Sequence, residues 1–268
     1  MSSEAEGRFH ILDVSSLTSR PLRSTLRTDD GVRIEAVYEP SRASVTDTAV
    51  VLAHGFTGSA DRPAVRRAAL ALAERGAAVV TFSFRGHGRS GGRSTVGDRE
   101  VLDLSAAVRW ARELGHARVA TVGFSMGGSV VLRHAALERG TEARTDAVAA
   151  VSAPARWYYR GTAPMRRVHW VVTRPAGRLV GRYGFGTRID SRAWDPVPLS
   201  PVEAVPLIAP TPLLIVHGDR DAYFPLDHPR MLAAAGDAEL WVERGMGHAE
   251  NAAGGELLAR LGDWLTRA

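Results

Sequence analysis

Six short runs, at 49–53, 77–82, 119–122, 147–151, 213–216 and 240–242, are almost continuously apolar and rich in β-branched residues. A strand with one wet face alternates apolar and polar side chains. A run without alternation reads as a strand covered on both faces. Helical patterns fill the intervals: Val65, Ala68, Ala69 and Leu72 stand at i, i+3, i+4 and i+7. Leu257, Leu261, Trp264 and Leu265 form a second stripe near the C-terminus. Such alternation predicts an α/β fold, a mostly parallel sheet between two layers of helices. Ahead of it, Asp29-Asp30-Gly31 separates 25–28 from 32–38 and signals an antiparallel hairpin.

The alternation breaks once. Between Pro154 and about Val205 there is no good strand, and the chain returns through a proline-rich stretch from Pro196 to Pro212. This segment is expected to be an insertion laid over the carboxyl ends of the strands. The core would then be 1–153 and 206–268, with 154–205 as a helical lid. The insertion carries nine arginines against Asp190, Asp195 and Glu203, a balance of +6 where the whole chain has +5. It also holds Trp157, Tyr158, Tyr159, Trp170, Tyr183, Phe185 and Trp194.

Composition excludes several chemistries. All 34 basic residues are arginine, glutamine is absent and Asn251 is the single asparagine. A Schiff-base lysine, a P-loop and a Ser-Lys dyad are therefore impossible. With no cysteine there is no disulfide, thiolate nucleophile or cysteine metal site. The high pI of 10.3 reflects the arginines, and a net charge of +5 on 268 residues gives no reason to expect a nucleic-acid partner. No stretch of 18 apolar residues occurs, and the first six residues carry acids without an apolar signal region, so a cytoplasmic protein is expected.

Gly123-Phe124-Ser125-Met126-Gly127 lies between the apolar run at 119–122 and the helix-compatible stretch 130–137. Glycines two residues either side of a serine suit a sharp strand-to-helix turn that holds the hydroxyl out at the sheet edge as a nucleophile. A serine hydroxyl needs a base within hydrogen-bond reach. His248, in Gly245-Met246-Gly247-His248 directly after the run at 240–242, is the expected base. An acid that fixes the histidine tautomer should follow the run at 213–216, where Asp219 and Asp221 compete. Asp219 directly follows Gly218 and suits a turn; Asp221, deeper in the loop, is the expected orienting acid. Backbone N–H groups of Met126 and of Phe56, in His54-Gly55-Phe56-Thr57-Gly58, are the expected oxyanion donors, since amide side chains are nearly absent. His54 and His217 end strands and should organise loops.

Gly86-His87-Gly88-Arg89-Ser90-Gly91 matches a dinucleotide fingerprint, but no helix opens at its last glycine, and the motif is set aside. No metal motif is present, and neither metal nor cofactor is expected.

The blocks HGFTGS from His54, FRGHGRSGG from Phe84, GFSMGG from Gly123, HGDRDAYFP from His217 and GMGH from Gly245 together resemble the α/β-hydrolase superfamily. Within it they look most like its esterase, monoacylglycerol-lipase-like and serine-aminopeptidase-like branch. The resemblance covers about 48–153 and 206–268. It implies an eight-stranded sheet and a triad of Ser125, Asp221 and His248. Phe124 departs from it, standing where many such enzymes have histidine. The implied activity is hydrolysis of small carboxylic esters through an acyl-enzyme. A thioesterase, a peptidase, or a non-catalytic binding protein on the same scaffold are the alternatives. The arginine-rich, aromatic insertion suits acyl substrates with an anionic end or contact with an acidic lipid surface, and a solvated arginine face fits it equally.

Overall fold

In a computed structural model, which describes residues 21–42 and 46–268, the chain opens with an antiparallel hairpin. Strand β1 (Leu22–Arg27) pairs with β2 (Arg33–Glu39) across the turn at Asp29-Asp30-Gly31. Gly31 takes a φ of 82°, which a residue with a Cβ adopts only under strain. His10 and the acidic N-terminal stretch lie outside the described residues.

Strands β3 (Thr48–Ala53), β4 (Ala78–Phe82), β5 (Arg118–Phe124), β6 (Ala147–Val151), β7 (Leu213–Gly218) and β8 (Glu239–Glu243) complete an eight-stranded sheet. Its order is β1-β2-β4-β3-β5-β6-β7-β8, and every pairing from β4 to β8 is parallel. Helices α1 (Pro63–Glu74) and α9 (Gly255–Arg267) cover one face with the predicted stripes, burying Val65, Ala68, Leu72, Leu257, Leu261 and Leu265. Helices α2 (Glu100–Glu113) and α3 (Met126–Leu137) cover the other face. Phe124, at the end of β5, is fully buried in the α1/α9 layer.

One apolar run differs from its expected environment. Residues 240–242 belong to β8, but Leu240 and Trp241 are only half-buried and Val242 is exposed. β8 is the edge strand and pairs with β7 alone, so its outer side meets solvent. Trp241 is covered instead by the Arg260 guanidinium, 4.5 Å from its ring centroid, and Glu239 accepts hydrogen bonds from the indoles of Trp241 and Trp264.

Between β6 and β7 the described chain has α4 (Ala163–Thr173), α5 (Pro175–Gly184) and the short α6 (Pro201–Ala204), with no strand. Neither α4 nor α5 buries a large side chain. The segment is stitched to the loop after β4 through main-chain bonds: Ser94 N–H to Arg188 O, Arg188 N–H to Gly86 O, and Asp190 N–H to Ser94 O. Gly86, from the discarded dinucleotide motif, permits this seam. It has a φ of 77°, and a Cβ there would run into Arg188 O and Ser94 N. After α7 (Asp227–Ala234) and β8, the four-residue α8 (Ala249–Ala252) precedes α9.

The same loop after β4 is anchored by charge. Arg85, 3% exposed, donates through Nε and Nη2 to Asp103 and through both Nη atoms to Asp30, while its N–H also bonds Asp103. Asp103 is wholly buried on α2. Removing one partner of such a buried pair leaves an uncompensated charge. Arg85→Ala is therefore expected to lower stability by about 3–5 kcal/mol. Urea denaturation measures this, and a loss under about 1 kcal/mol would show that the pair holds nothing together.

Candidate active site

Strand β5 ends at Phe124 and α3 begins at Met126, so Ser125 alone turns the chain. Its φ of 52° and ψ of −114° lie outside the regions L-residues favour, and its N–H is held by Val151 O at 2.8 Å. The flanking glycines are there because the turn packs backbone against backbone. A Cβ on Gly123 would strike the Gly127 carbonyl; one on Gly127 would strike the carbonyls of Ala53 and His54.

The structure brings Ser125, His248 and Asp221 into one chain of hydrogen bonds. Nε2 of His248 is 2.9 Å from Ser125 Oγ, and Nδ1 is 2.7 Å from Asp221 Oδ2. Oδ1 of Asp221 accepts the N–H groups of Tyr223 and Phe224 at 2.8 and 3.1 Å. Burial pushes the Asp221 carboxyl pKa up, but the His248 bond and these two N–H groups outweigh it and hold it below the ordinary value. An ionised carboxylate only accepts, so Nδ1 carries the imidazole proton and Nε2 presents its lone pair to the serine hydroxyl. Tyr223 stacks on the imidazole at 4.2 Å. Ser152 Oγ accepts Ala249 N–H at 3.1 Å, which fixes the histidine loop from the end of β6.

Asp219 is elsewhere: its Oδ1 accepts Gly245 N–H at 2.6 Å and shapes the turn before the histidine loop. His217 donates from Nε2 to Phe224 O at 2.8 Å, bracing the loop of Asp221. In His54, Nε2 accepts Phe84 N–H at 3.0 Å, so Nδ1 is the donor to Gly55 O at 2.7 Å. Burial, then neighbouring His87, pushes the His54 pKa down to about 3, so the ring is neutral. Phe56 and Met126 border the same cavity as Ser125. Met126 N–H opens α3, where no intrahelical acceptor exists, and neither it nor Phe56 N–H has a partner among the described residues.

Glu250 escaped the sequence reading. Its Oε1 accepts Gly55 N–H at 3.1 Å, joining the histidine loop to the loop of Phe56 across 195 residues of chain. Arg67 of α1 holds the Glu250 and Ala253 carbonyls at 2.7 and 3.2 Å, so the short α8 is anchored from both sides. The available signal was an acid in a stretch of small residues after His248, at odds with burial.

The cavity encloses about 750 Å³. Ser125 and His248 stand at its base, and Met165, Val168, Val171 and Val172 of α4 with Trp157 and Trp194 line its apolar wall.

Residues 48–171 match a family model described as the alpha/beta hydrolase fold. YheT of Escherichia coli (strain K12) is 33% identical over 139 residues, which are 50% of this chain and 40% of that protein. A monoacylglycerol lipase of Mycolicibacterium smegmatis is 27% identical over 241 residues, 74% of this chain and 80% of that one. The chain thus spans less than half of the first relative and most of the second. Among solved structures, the Pyrococcus furiosus esterase Pf2001 superposes with a TM-score of 0.71 at 23% identity, covering 99% of this chain and 98% of that one.

Glu250 gives this geometry a test. Alanine there strands Gly55 N–H and frees the loop of Phe56, so Glu250→Ala is expected to lower stability by about 1–3 kcal/mol, while Glu250→Gln, still an acceptor, keeps most of it. Burial raises the Glu250 pKa. Below its unfolded value both states hold the proton; as pH rises through the higher folded value, the native state alone bears a buried charge. Wild type should therefore lose stability relative to Glu250→Gln as pH rises through that window, read by thermal melts across pH. Parallel pH profiles, or equal stability in all three proteins, would show that Glu250 does not brace the loop of Phe56.

The strand order and the match across 48–171 together identify the chain as a protein of the α/β-hydrolase fold.

Proposed function

We propose that the protein is a serine hydrolase of carboxylic esters, with Ser125, His248 and Asp221 as its triad. The reading rests on one observation above the rest: the continuous hydrogen bonds from Asp221 through His248 to Ser125 at the base of a largely apolar cavity. The esterase and the lipase among its relatives support it. The segment 154–205 acts as a lid over a core formed by the rest of the chain.

In this mechanism Ser125 Oγ attacks the ester carbonyl as its proton passes to His248 Nε2. Asp221 steadies the resulting imidazolium without taking the proton. The N–H groups of Phe56 and Met126 hold the tetrahedral oxyanion. His248 then gives the proton to the leaving alcohol, and an acyl group remains on Ser125. Water, losing a proton to the same imidazole, attacks the acyl carbonyl, and collapse releases the acid and restores the serine hydroxyl. An aminopeptidase would offer carboxylates to a substrate ammonium, whereas the cavity wall carries arginines, so the ester is the better-supported substrate.

Hydrolysis of 4-nitrophenyl butyrate tests the assignment. Ser125→Ala is expected to lower kcat by about a millionfold and to abolish labelling by a fluorophosphonate. Asp221→Asn, which forces the wrong imidazole tautomer, should cost on the order of ten-thousandfold. Either variant within tenfold of wild type sinks the triad.

A further inference from the structure

Five arginines border the cavity, and they are not equivalent. Arg156 is paired with Asp227 at 3.2 Å, and Arg192 with Asp190 at 2.8 Å. Arg178, on α5, turns back to the carbonyls of Val172 and Thr173 at 3.3 and 3.0 Å, in the last turn of α4. Arg160 and Arg167 differ from all three. Neither has a carboxylate within ion-pair distance among the described residues. Among the described residues Arg160 spends only its Nε, on Nδ1 of His169 at 3.3 Å, and the Arg167 guanidinium makes no hydrogen bond.

The remaining groups at the cavity do not cancel this charge. Asp190 is committed to Arg192, and Glu250 is buried under the loop of Phe56. His169, two residues beyond Arg167 and also on the cavity, has its pKa pushed below the ordinary value by burial and then by the Arg160 charge. Met165, Val168 and Val172 project from the same helix into the cavity. The cavity thus offers an apolar wall beside two fork-shaped donors with no acid to answer them. A guanidinium matches a carboxylate in shape and charge.

We infer that Arg160 and Arg167 form an anion subsite, and that the preferred substrates are esters whose apolar acyl chain ends in a carboxylate. The inference rests on the ester-hydrolase reading and names its substrate class. The chain lies along the α4 wall, with its ester carbonyl at Ser125 and its far carboxylate at the two guanidinium groups.

The test compares 4-nitrophenyl hydrogen adipate and suberate with their methyl-capped counterparts, which replace the terminal charge by one methyl group. Both guanidinium groups are solvent-exposed, so the gain is modest. Wild type is expected to show kcat/KM about fivefold higher for the carboxylate-ended member of the better-fitting pair, carried mainly by KM. In Arg160→Gln/Arg167→Gln that ratio should fall to about one, and added salt should erode it in wild type alone. Equal rates on the two members in wild type, or a preference that survives in the double variant, overturn the inference while leaving the hydrolase reading intact. Hydrolysis of neither member nor of 4-nitrophenyl butyrate overturns the hydrolase reading; calorimetry of monomethyl adipate and dimethyl adipate on Ser125→Ala then still decides the subsite. Tighter binding of the charged compound, lost in the double variant, supports it, and equal binding does not. Should the double variant instead lose binding to phosphatidylglycerol vesicles with the ester ratio unchanged, the arginines face a lipid surface and the subsite is wrong.

Discussion

The site depends on one close approach of backbone to backbone. Between β5 and α3 the chain reverses through a single residue, and this works only because Gly123 and Gly127 have no side chain to place. Gly127 lies directly against the end of β3, so the turn of Ser125 and the loop of Phe56 share one contact. Any shift at the glycine moves both the hydroxyl and the N–H groups beside it. The strain at Ser125 is therefore held by packing over the two most buried central strands, where adjustment is least available.

Further strain accompanies it. Thr57, Ser152 and Ala249 also have positive φ; the first two lie in loops that leave the carboxyl ends of strands, and Ala249 opens α8. Each is restrained by a specific bond nearby: Gly58 N–H to Gly55 O, Ser152 N–H to Val216 O, and Ala249 N–H to Ser152 Oγ. The loops are not independent, since Ser152 holds the histidine loop and Glu250 holds the loop of Phe56. Local cost is thus spread over a network that fixes the relative positions of groups far apart in sequence.

That distribution explains what the sequence disclosed. Ser125, Asp221 and His248 were legible because each follows an apolar run, and strand ends in a parallel sheet converge on one edge. The glycines around Ser125 added a local requirement visible in five residues. Asp219 could be set apart from Asp221 by turn chemistry alone. Glu250 was harder to see, because its partner is the N–H of a residue 195 positions away and the local sign is no more than an acid among small residues. The edge position of β8 was hidden for a related reason. An apolar run reports that a strand wants cover; whether a helix or an arginine stem supplies it depends on where the strand falls in the sheet.

The loop after β4 shows how a misleading motif acquires a physical meaning. Its glycines resemble a phosphate-binding turn, yet Gly86 serves a main-chain seam with Arg188, and Gly88 lies so close to Ser83 Oγ and Glu35 that a Cβ would displace both. Glu35 in turn accepts from Ser83 Oγ at 2.6 Å and from Arg89. Arg85 fixes the start of the same loop to α2 through Asp103. The loop is thus rigid on its inner side and hydrogen-bonded to the arginine-rich segment on its outer side. A segment that buries no large side chain in α4 or α5 gains its position from that seam and from Thr162 Oγ1 donating to Tyr223 O, beside the imidazole of His248. Ala155, Ile189 and Val205 of the segment are buried, but α4 and α5 are held by polar and peripheral contacts, so these two helices can shape and charge the cavity without contributing to the core. Sequence change there is consequently cheap for the fold and costly for what the cavity accepts.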